Sequence, residues 1–323
     1  MREQILVIVF ILGSIVFMGT LYARPEEKLS RRRGMSQTIF NIMCYLIISF
    51  VAWVCLLPFI FLVSGSFTEE SVIRYSGYNI LPVNFTLEAY KMVFQYPERI
   101  VRGYMNSIFI TSVGTVAGLF LITMTAYVLS RKSFKYRNHI AFFFFFTTLF
   151  NGGMISTYIF YIRYLNLKNN YLAMILPLIF NVFHLLIMRS FVRSIPEALI
   201  ESAKIDGAGE FKIFIRIILP LLPAGLATIG LFMALAYWND WYNAMLYIND
   251  QAKFPLQYML YDTLMRNQAF SRIASMVGIR MENLPTYSLK LAMAVVSTGP
   301  IILLYPFVQK YFIKGITIGS VKG

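Results

Sequence analysis

The sequence is poor in the residues that form disulfides and metal sites. It contains two cysteines and two histidines in 323 residues. Cys44 and Cys55 lie eleven residues apart in one apolar stretch, about 16 Å along a helix, so they cannot bridge to each other there. His139 and His184 stand apart from any cysteine or carboxylate at metal-ligand spacing, which favours helix packing. A disulfide framework is excluded and a metal site is not expected.

Charged residues are scarce as well. They make up 14% of the chain, whereas hydrophobic residues make up 58% and the mean hydropathy is +0.64. Soluble proteins carry about 25% charged residues, so a soluble enzyme is excluded as the default. The net charge of +14 is scattered in short basic groups between apolar runs, which is typical of membrane proteins and not of nucleic-acid-binding ones. We therefore expect a polytopic helical membrane protein and no nucleic-acid partner.

Seven apolar runs are long enough to span a bilayer, whose core of about 30 Å needs roughly 20 helical residues. They lie near residues 5–22, 39–63, 105–129, 139–160, 171–191, 222–248 and 289–311. The last six form the core of the predicted all-α bundle.

The distribution of basic residues predicts the orientation of this core. If the C-terminus is cytoplasmic, the inner segments hold 17 of the 29 lysines and arginines. These segments are 23–38, 130–138, 189–221 and 310–323. The bias places both ends of the six-helix core in the cytoplasm.

Residues 1–34 form a separate N-terminal segment, in which the apolar run 5–22 precedes the basic cluster from Arg31 to Arg33. A signal peptide is one interpretation, but its basic residues would come first and an A-x-A-like cleavage site is missing. An extra membrane helix with an outer N-terminus fits this order better. Translation that begins at Met35 is a third possibility, and the sequence leaves it open.

The stretch from Ser194 to Pro223 is polar enough to leave the membrane and is patterned as two short helices. Pro196 and Glu197 suit a helix start, through a fixed φ and a negative charge at the positive helix end. Asp206-Gly207 predicts a break, because glycine tolerates positive φ. A second helix with apolar Phe211, Phe214 and Ile215 then runs to Leu219-Pro220. Patterning alone leaves two alternatives: docking in a groove of another protein, or an amphipathic helix at the membrane interface.

Fixed positions in this loop resemble a known motif. Glu201-Ser202-Ala203 is followed after three residues by Gly207, and after nine more by Ile217-Ile218-Leu219-Pro220. This order is similar to the EAA motif of permease subunits of binding-protein-dependent ABC importers, with Ser202 where alanine is usual. Further segments are similar to carbohydrate permeases: Asn106-Ser107, Trp238-Asn239-Asp240-Trp241, Pro255-Leu256-Gln257, Thr298-Gly299-Pro300, Leu304-Tyr305-Pro306-Phe307 and the tail from Lys314 to Gly323. From about residue 36 onward the chain most resembles the maltose-type second permease subunit, in the complex-oligosaccharide branch.

The resemblance implies that residues 35–323 are the transmembrane domain of an ABC importer in a bacterial-type inner membrane, with the coupling loop at 194–223. It implies three kinds of partner: a second, different permease subunit, two copies of a P-loop ATPase and an external solute-binding protein. The tail from Lys314 would reach towards the ATPase pair. The residues it assigns to ATPase coupling are Glu197, Glu201, Ser202, Ala203, Asp206, Gly207, Ala208 and Pro220.

No phosphate-binding loop occurs in the chain. The pattern G-x-x-x-x-G-K-[ST] is absent, and no lysine directly follows a glycine. We therefore expect a transport subunit that is not an enzyme and binds no cofactor, with ATP and Mg held by the partner ATPase.

Polar residues inside the predicted spans are candidates for a substrate pathway, because they are costly if they face lipid. Asn181 more often makes a helix-to-helix hydrogen bond than a substrate contact. For Asp240, beside Asn239, a functional role and a snorkelling or capping role are equally open. Trp238 and Tyr242 could stack on sugar rings or anchor at the membrane interface.

Two other classes of function compete with an importer permease. A self-sufficient channel or ion-coupled transporter would need charged sites near the midplane, and the spans have almost none away from their ends. An integral membrane enzyme would need clustered catalytic groups near the interface, and none is assembled in the sequence.

Overall fold

The computed structural model describes residues 35–150, 152–276 and 286–300. Over these residues the regular structure is helical, apart from one isolated antiparallel bridge between Thr68 and Phe85. The predicted all-α class is confirmed. The run over 5–22 and the part of the last predicted span beyond residue 300 lie outside the described residues.

Among the described residues, the first of two compact units comprises 35–90 with 287–292. Its helices are α1 (Met35–Ser66), α2 (Glu70–Ser76) and the beginning of α3 (Glu88–Val93). Within α1, Ile39–Ser66 is long and apolar enough to cross a membrane, which confirms the span predicted over 39–63. Buried Glu70 accepts hydrogen bonds from the backbone N–H groups of Tyr287 and Ser288. Its charge thus complements the positive end of a helical segment over 287–300.

The described residues of the second unit are 91–150, 152–276, 286 and 293–300, and they are built around α4 (Pro97–Ser130). This 34-residue helix is long and apolar enough to cross a membrane, which confirms the span predicted over 105–129. Its further helices are α5 (Arg137–Leu149), α6 (Gly153–Ile159), α7 (Leu172–Ile175), α8 (Val182–Arg193), α9 (Glu197–Ile205), α10 (Glu210–Ile213), α11 (Pro223–Trp238), α12 (Tyr242–Tyr247) and α13 (Leu256–Met276).

Helix α4 packs closely against α8 and α11. Two glycines permit the contact with α11, because Gly114 lies against the ring of Tyr237 and Gly118 against the side chain of Met233. A Cβ atom at either glycine would collide with these side chains. The GxxxG face of the sequence therefore serves close helix packing, as such faces commonly do.

Three of the predicted spans are interrupted and divided between separate helices. In the span 139–160, α5 ends at Leu149 and α6 begins at Gly153, whose φ of +80° favours glycine. In the span 222–248, α11 ends at Trp238 and the chain turns before α12 begins at Tyr242.

The third break falls in the predicted span 171–191. Its two parts, Leu172–Leu178 and Val182–Arg193, meet at 56°. Pro177 lies in a short 3₁₀ turn at the end of the first part, and Asn181 has extended backbone before the second part begins. Proline removes a helical hydrogen bond and asparagine caps a new helix, so the two residues together end one helix and start another.

Candidate functional site

The coupling loop begins where α8 ends. Pro196 lies one residue before α9, with a φ of −59° and extended ψ, and its ring holds the φ that a helix start requires. Glu197 opens α9, and its carboxylate accepts a hydrogen bond from Lys132 Nζ at 2.7 Å. This hydrogen bond lowers the pKa of Glu197 below its usual value. The predicted helix start is therefore present, and a basic residue from the end of α4 holds it.

The predicted break between the two short helices is at Gly207, which has a φ of +77°. The Asp206 N–H donates to the carbonyl of Ser202 at 3.0 Å, and the Ala208 N–H donates to that of Ala203 at 2.9 Å. A left-handed residue in this position satisfies the last carbonyls of a helix. Ala203 is buried and Ala208 half-buried, which agrees with close packing around small side chains.

The second half of the loop is less regular than the sequence indicates. Helix α10 continues as a π-helix over Phe214–Ile218 and a 3₁₀ turn over Leu219–Leu221 that contains Pro220. Phe214 is buried, whereas Phe211 is 65% exposed and Ile215 is also exposed. The predicted apolar side is thus divided between the core of the unit and its surface. This segment and α11 meet at 84°.

Glu210 anchors the loop through two contacts, and it was not among the predicted site residues. Its carboxylate accepts a hydrogen bond from the hydroxyl of Tyr127 on α4 and pairs with Lys204 Nζ at 2.5 Å. Burial would raise the pKa of Glu210, but the hydrogen bonds from Lys204 and Tyr127, with the charges of Lys204 and Arg131, outweigh it and lower the pKa. The ion pair across the Gly207 turn is the only indication of this role in the sequence, and many exposed pairs share that spacing.

The outward side of the loop carries groups without partners. The carboxylate of Glu201 is exposed and makes no hydrogen bond or ion pair with any described residue. Ser202 beside it is exposed too. Large apolar side chains of the same loop are exposed as well, and Ile205 is 86% exposed. We call this set the coupling surface: Leu199, Glu201, Ser202, Ile205 and Phe211.

Three of the residues predicted to line a substrate pathway make hydrogen bonds within this chain. Trp238 is 5% exposed, and its Nε1 donates to the carbonyl of Ser297 at 3.0 Å. Asn239 Nδ2 donates to the carbonyl of Leu235 in its own helix at 2.9 Å. The Asp240 carboxylate accepts from the backbone and side-chain nitrogens of Asn243, at 3.1 and 2.8 Å. Asp240 thus lies one residue before the N-cap residue Trp241 of α12 and bonds to the first turn of that helix.

Two other pathway candidates differ in exposure and bonding. Tyr242 is exposed, next to Trp241, whose ring stacks on that of Tyr261 with centroids 4.3 Å apart. Asn181 accepts hydrogen bonds from the N–H groups of Phe183 and His184 and so caps α8. The helix-to-helix bond expected for Asn181 is not among the bonds of the described residues.

Asn106 and Ser107 hold in place a segment that is distant in the sequence. Asn106 is 8% exposed, and its Nδ2 donates to the carbonyls of Ala252 and Phe254 at 2.9 and 3.0 Å. Its Oδ1 accepts from the hydroxyl of Tyr171 at 2.9 Å. Ser107 Oγ accepts from the N–H of Leu256 at 2.8 Å. We call residues 238–256 the distal segment; its polar side chains and those that meet it serve mainly to fix the backbone.

Comparison with known proteins identifies the family to which the chain is similar. Residues 118–318 match the family described as binding-protein-dependent transport system inner membrane component. The polygalacturonan/rhamnogalacturonan transport system permease protein YtcP of Bacillus subtilis is 38% identical over 289 residues, which cover 90% of this chain and 100% of YtcP. Protein LplC of the same organism is 42% identical over 287 residues, or 88% of this chain and 95% of LplC.

More distant relatives also match over most of their length. The trehalose/maltose transport system permease protein MalG of Thermococcus litoralis is 30% identical over 84% of this chain and 94% of its own. A chain in the crystal structure of a bacterial ABC transporter involved in the import of the acidic polysaccharide alginate is also similar. It is 30% identical, has a TM-score of 0.72, and the match covers 88% of this chain and 100% of that one.

Proposed function

The chain belongs to the family of inner membrane components of binding-protein-dependent transport systems, and from that membership we propose that it is one permease subunit of an ATP-driven sugar or oligosaccharide importer. With a second, different permease it forms an alternating-access pathway. Two copies of a P-loop ATPase, which hold the ATP and Mg, drive the pathway through the coupling loop. An external solute-binding protein delivers the substrate.

The coupling surface is the observation that carries this proposal. Its carboxylate at Glu201 is exposed and has no partner among the described residues, and apolar Ile205 and Phe211 of the same loop are exposed as well. A protein partner with a basic residue in an apolar groove satisfies both features. The alternative, a helix that rests on the membrane, suits the apolar groups but brings the Glu201 carboxylate towards anionic headgroups, which repel it.

The relatives support a carbohydrate substrate. Their names refer to polygalacturonan and rhamnogalacturonan, to arabinooligosaccharides and to trehalose and maltose. Because several of these are oligomers or polymers of sugars, we extend the proposal to oligosaccharides. A panel of neutral and uronic-acid oligosaccharides, offered to cells with and without the gene, would identify the class by its uptake.

The experiment that tests the coupling role is purification of the tagged full chain from its native membrane in mild detergent, with mass identification of the co-purifying proteins. We expect a P-loop ATPase and a second permease. Glu201→Ala should lower the recovered ATPase at least about tenfold, since it removes one partner of an interfacial charge pair, and should leave the second permease in place. Glu98→Ala is the matched control, because Glu98 is also exposed and unpaired among the described residues but lies at the other end of α4.

A result of another kind would favour the self-sufficient transporter. If the chain emerges without an ATPase at every salt concentration, and catalyses uptake alone in liposomes, the importer proposal is wrong. If the ATPase co-purifies equally with Glu201→Ala and wild type, the importer stands but the coupling role of Glu201 does not.

A further inference from the structure

A cavity of about 600 Å³ lies next to the coupling loop, where the ends of α4 and α8 meet the beginnings of α5 and α9. Its lining is rich in positive charge. The charged side chains that line it are Arg131, Lys132, Arg137, Arg193 and Glu197. Lys132 and Glu197 neutralise each other through their 2.7 Å ion pair. None of the three guanidinium groups that line the cavity forms an ion pair with a described residue, although Arg131 and Arg137 lie close enough to Glu197 to lower its pKa.

The hydrogen bonds of these arginines leave donors unsatisfied. Arg137 Nη1 donates to the backbone carbonyl of Arg131 at 3.3 Å, which takes up one donor of five in the guanidinium. Arg131 Nε is buried and has no hydrogen-bond partner in the described structure, and the same is true of Arg189 Nε one turn before Arg193. A buried donor without an acceptor carries a desolvation cost that an anion in contact with the guanidinium would remove.

Two ordinary explanations account for only part of this cluster. Basic residues favour the cytoplasmic side of a membrane protein, and they stabilise the negative C-terminal ends of helices such as α4 and α8. Arg137, however, is the first residue of α5, where its charge opposes the positive end of that helix. Neither explanation requires three arginines to converge on one cavity or leaves Arg131 Nε without an acceptor.

We propose that this cavity binds a phosphate group. Guanidinium groups are planar and donate in pairs to phosphate oxygens, so converging arginines are suited to this anion. Apolar Ile195 and Ile200 line the same cavity and fit a carbon skeleton attached to the phosphate. Two sources offer this chemistry: the headgroup of an anionic phospholipid and a soluble phosphorylated compound. A bound phosphate would join the ends of α4 and α8 to the beginning of α5.

The test uses the full chain in detergent and has two arms. In the first, native mass spectrometry measures binding of phosphatidylglycerol and of phosphatidylcholine, which share a phosphate but differ in net charge. In the second, titration calorimetry measures binding of inorganic phosphate. Arg137→Gln and Arg193→Gln should each weaken binding about tenfold, the effect of one lost charge-assisted contact, and Arg193→Lys should weaken it less. Lys135→Gln is the matched control, because it removes one charge from the same loop as Arg131 and Arg137 but does not line the cavity.

Each outcome decides the proposal. Preference for phosphatidylglycerol that the two glutamine variants lose identifies a lipid headgroup, whereas binding of inorganic phosphate with the same arginine dependence identifies a soluble phosphate. Equal binding of both lipids with no phosphate binding overturns the proposal and leaves a carboxylate of a partner protein as the occupant. Equal weakening by Lys135→Gln also overturns it, since diffuse charge would then suffice. Should Arg137→Gln fail to fold, Arg193→Gln decides, because Arg193 is exposed at the end of α8.

Discussion

The coupling surface and the distal segment use their polar groups in opposite ways. In the distal segment, Trp238, Asn239 and Asp240 all make hydrogen bonds within this chain. In the coupling surface, Glu201 makes none with the described residues, and apolar Ile205 and Phe211 are exposed beside it. Because buried polar groups are normally satisfied, the bonded set mainly holds the fold. The unpaired set is where a partner is expected to bind.

The largest effect is expected from two phenylalanines three positions apart in the coupling loop. Phe214→Ala should lower the free energy of unfolding by about 4 kcal/mol, because it empties a buried site. Phe211→Ala should change it by less than about 0.5 kcal/mol, since Phe211 is exposed, but should weaken retention of the ATPase about tenfold. Unfolding in detergent and co-purification measure the two quantities. Equal losses of stability in Phe214→Ala and Phe211→Ala would show that the loop does not have one buried and one exposed face.

A second prediction concerns the bonds that hold the distal segment. Asn106→Ala removes three hydrogen bonds from a buried site and should cost about 3 kcal/mol of unfolding free energy. Asn239→Ala removes one bond within an exposed helix end and should cost less than about 1 kcal/mol. Thermal unfolding of both variants makes the comparison. Similar costs would mean that the distal segment is not held by Asn106.

A third prediction isolates the turn of the coupling loop. Neither Gly207 nor Gly209 has a neighbouring atom that a Cβ would meet, but only Gly207 has a positive φ. Gly207→Ala should therefore cost about 1 kcal/mol through backbone strain alone, while Gly209→Ala should be neutral. Unfolding measurements on this pair test whether the turn requires glycine.

The smallest effect is a pH dependence at Glu210. Its pKa is lowered in the folded state, so its contribution to stability is present at neutral pH and is lost as the pH falls through that folded pKa. The Glu210 side chain is about half exposed, so the contribution should stay below about 1 kcal/mol. Between pH 7 and pH 4 the wild type should lose slightly more stability than Glu210→Gln. Parallel pH curves for the two proteins would show that Glu210 does not anchor the loop.

The sequence predicts the uninterrupted elements of this fold well. Two long apolar runs become α1 and α4, and the pattern Asp206-Gly207 marks the turn because only glycine adopts that φ easily. The breaks inside the other spans escape prediction, since one asparagine such as Asn181 or one glycine such as Gly153 does not interrupt the hydropathy of an apolar run. Capping at Asn181 depends on which N–H groups the helix start leaves free, and hydropathy does not report this.

In the candidate site, the turn of the loop can be predicted from the sequence, whereas the contacts between its helices cannot. Loop positions such as Gly207 are set by local geometry, which sequence spacing records. The anchoring of Glu210 on Tyr127 joins residues 83 positions apart, and the division of Phe211 from Phe214 follows from the irregular helix of Phe214–Ile218. Contacts of this kind exist only after the helices have packed.

The 84° corner between the end of the coupling loop and α11 has a mechanical consequence. Helix α11 has 16 residues, so it is a lever about 24 Å long. The two glycines of α4 hold that lever against α4 along Tyr237 and Met233, and the pair would pivot together. A tilt of about 5° at the corner moves the far end by about 2 Å, so a small rotation of the coupling loop becomes a displacement of atomic size at the far end of α11.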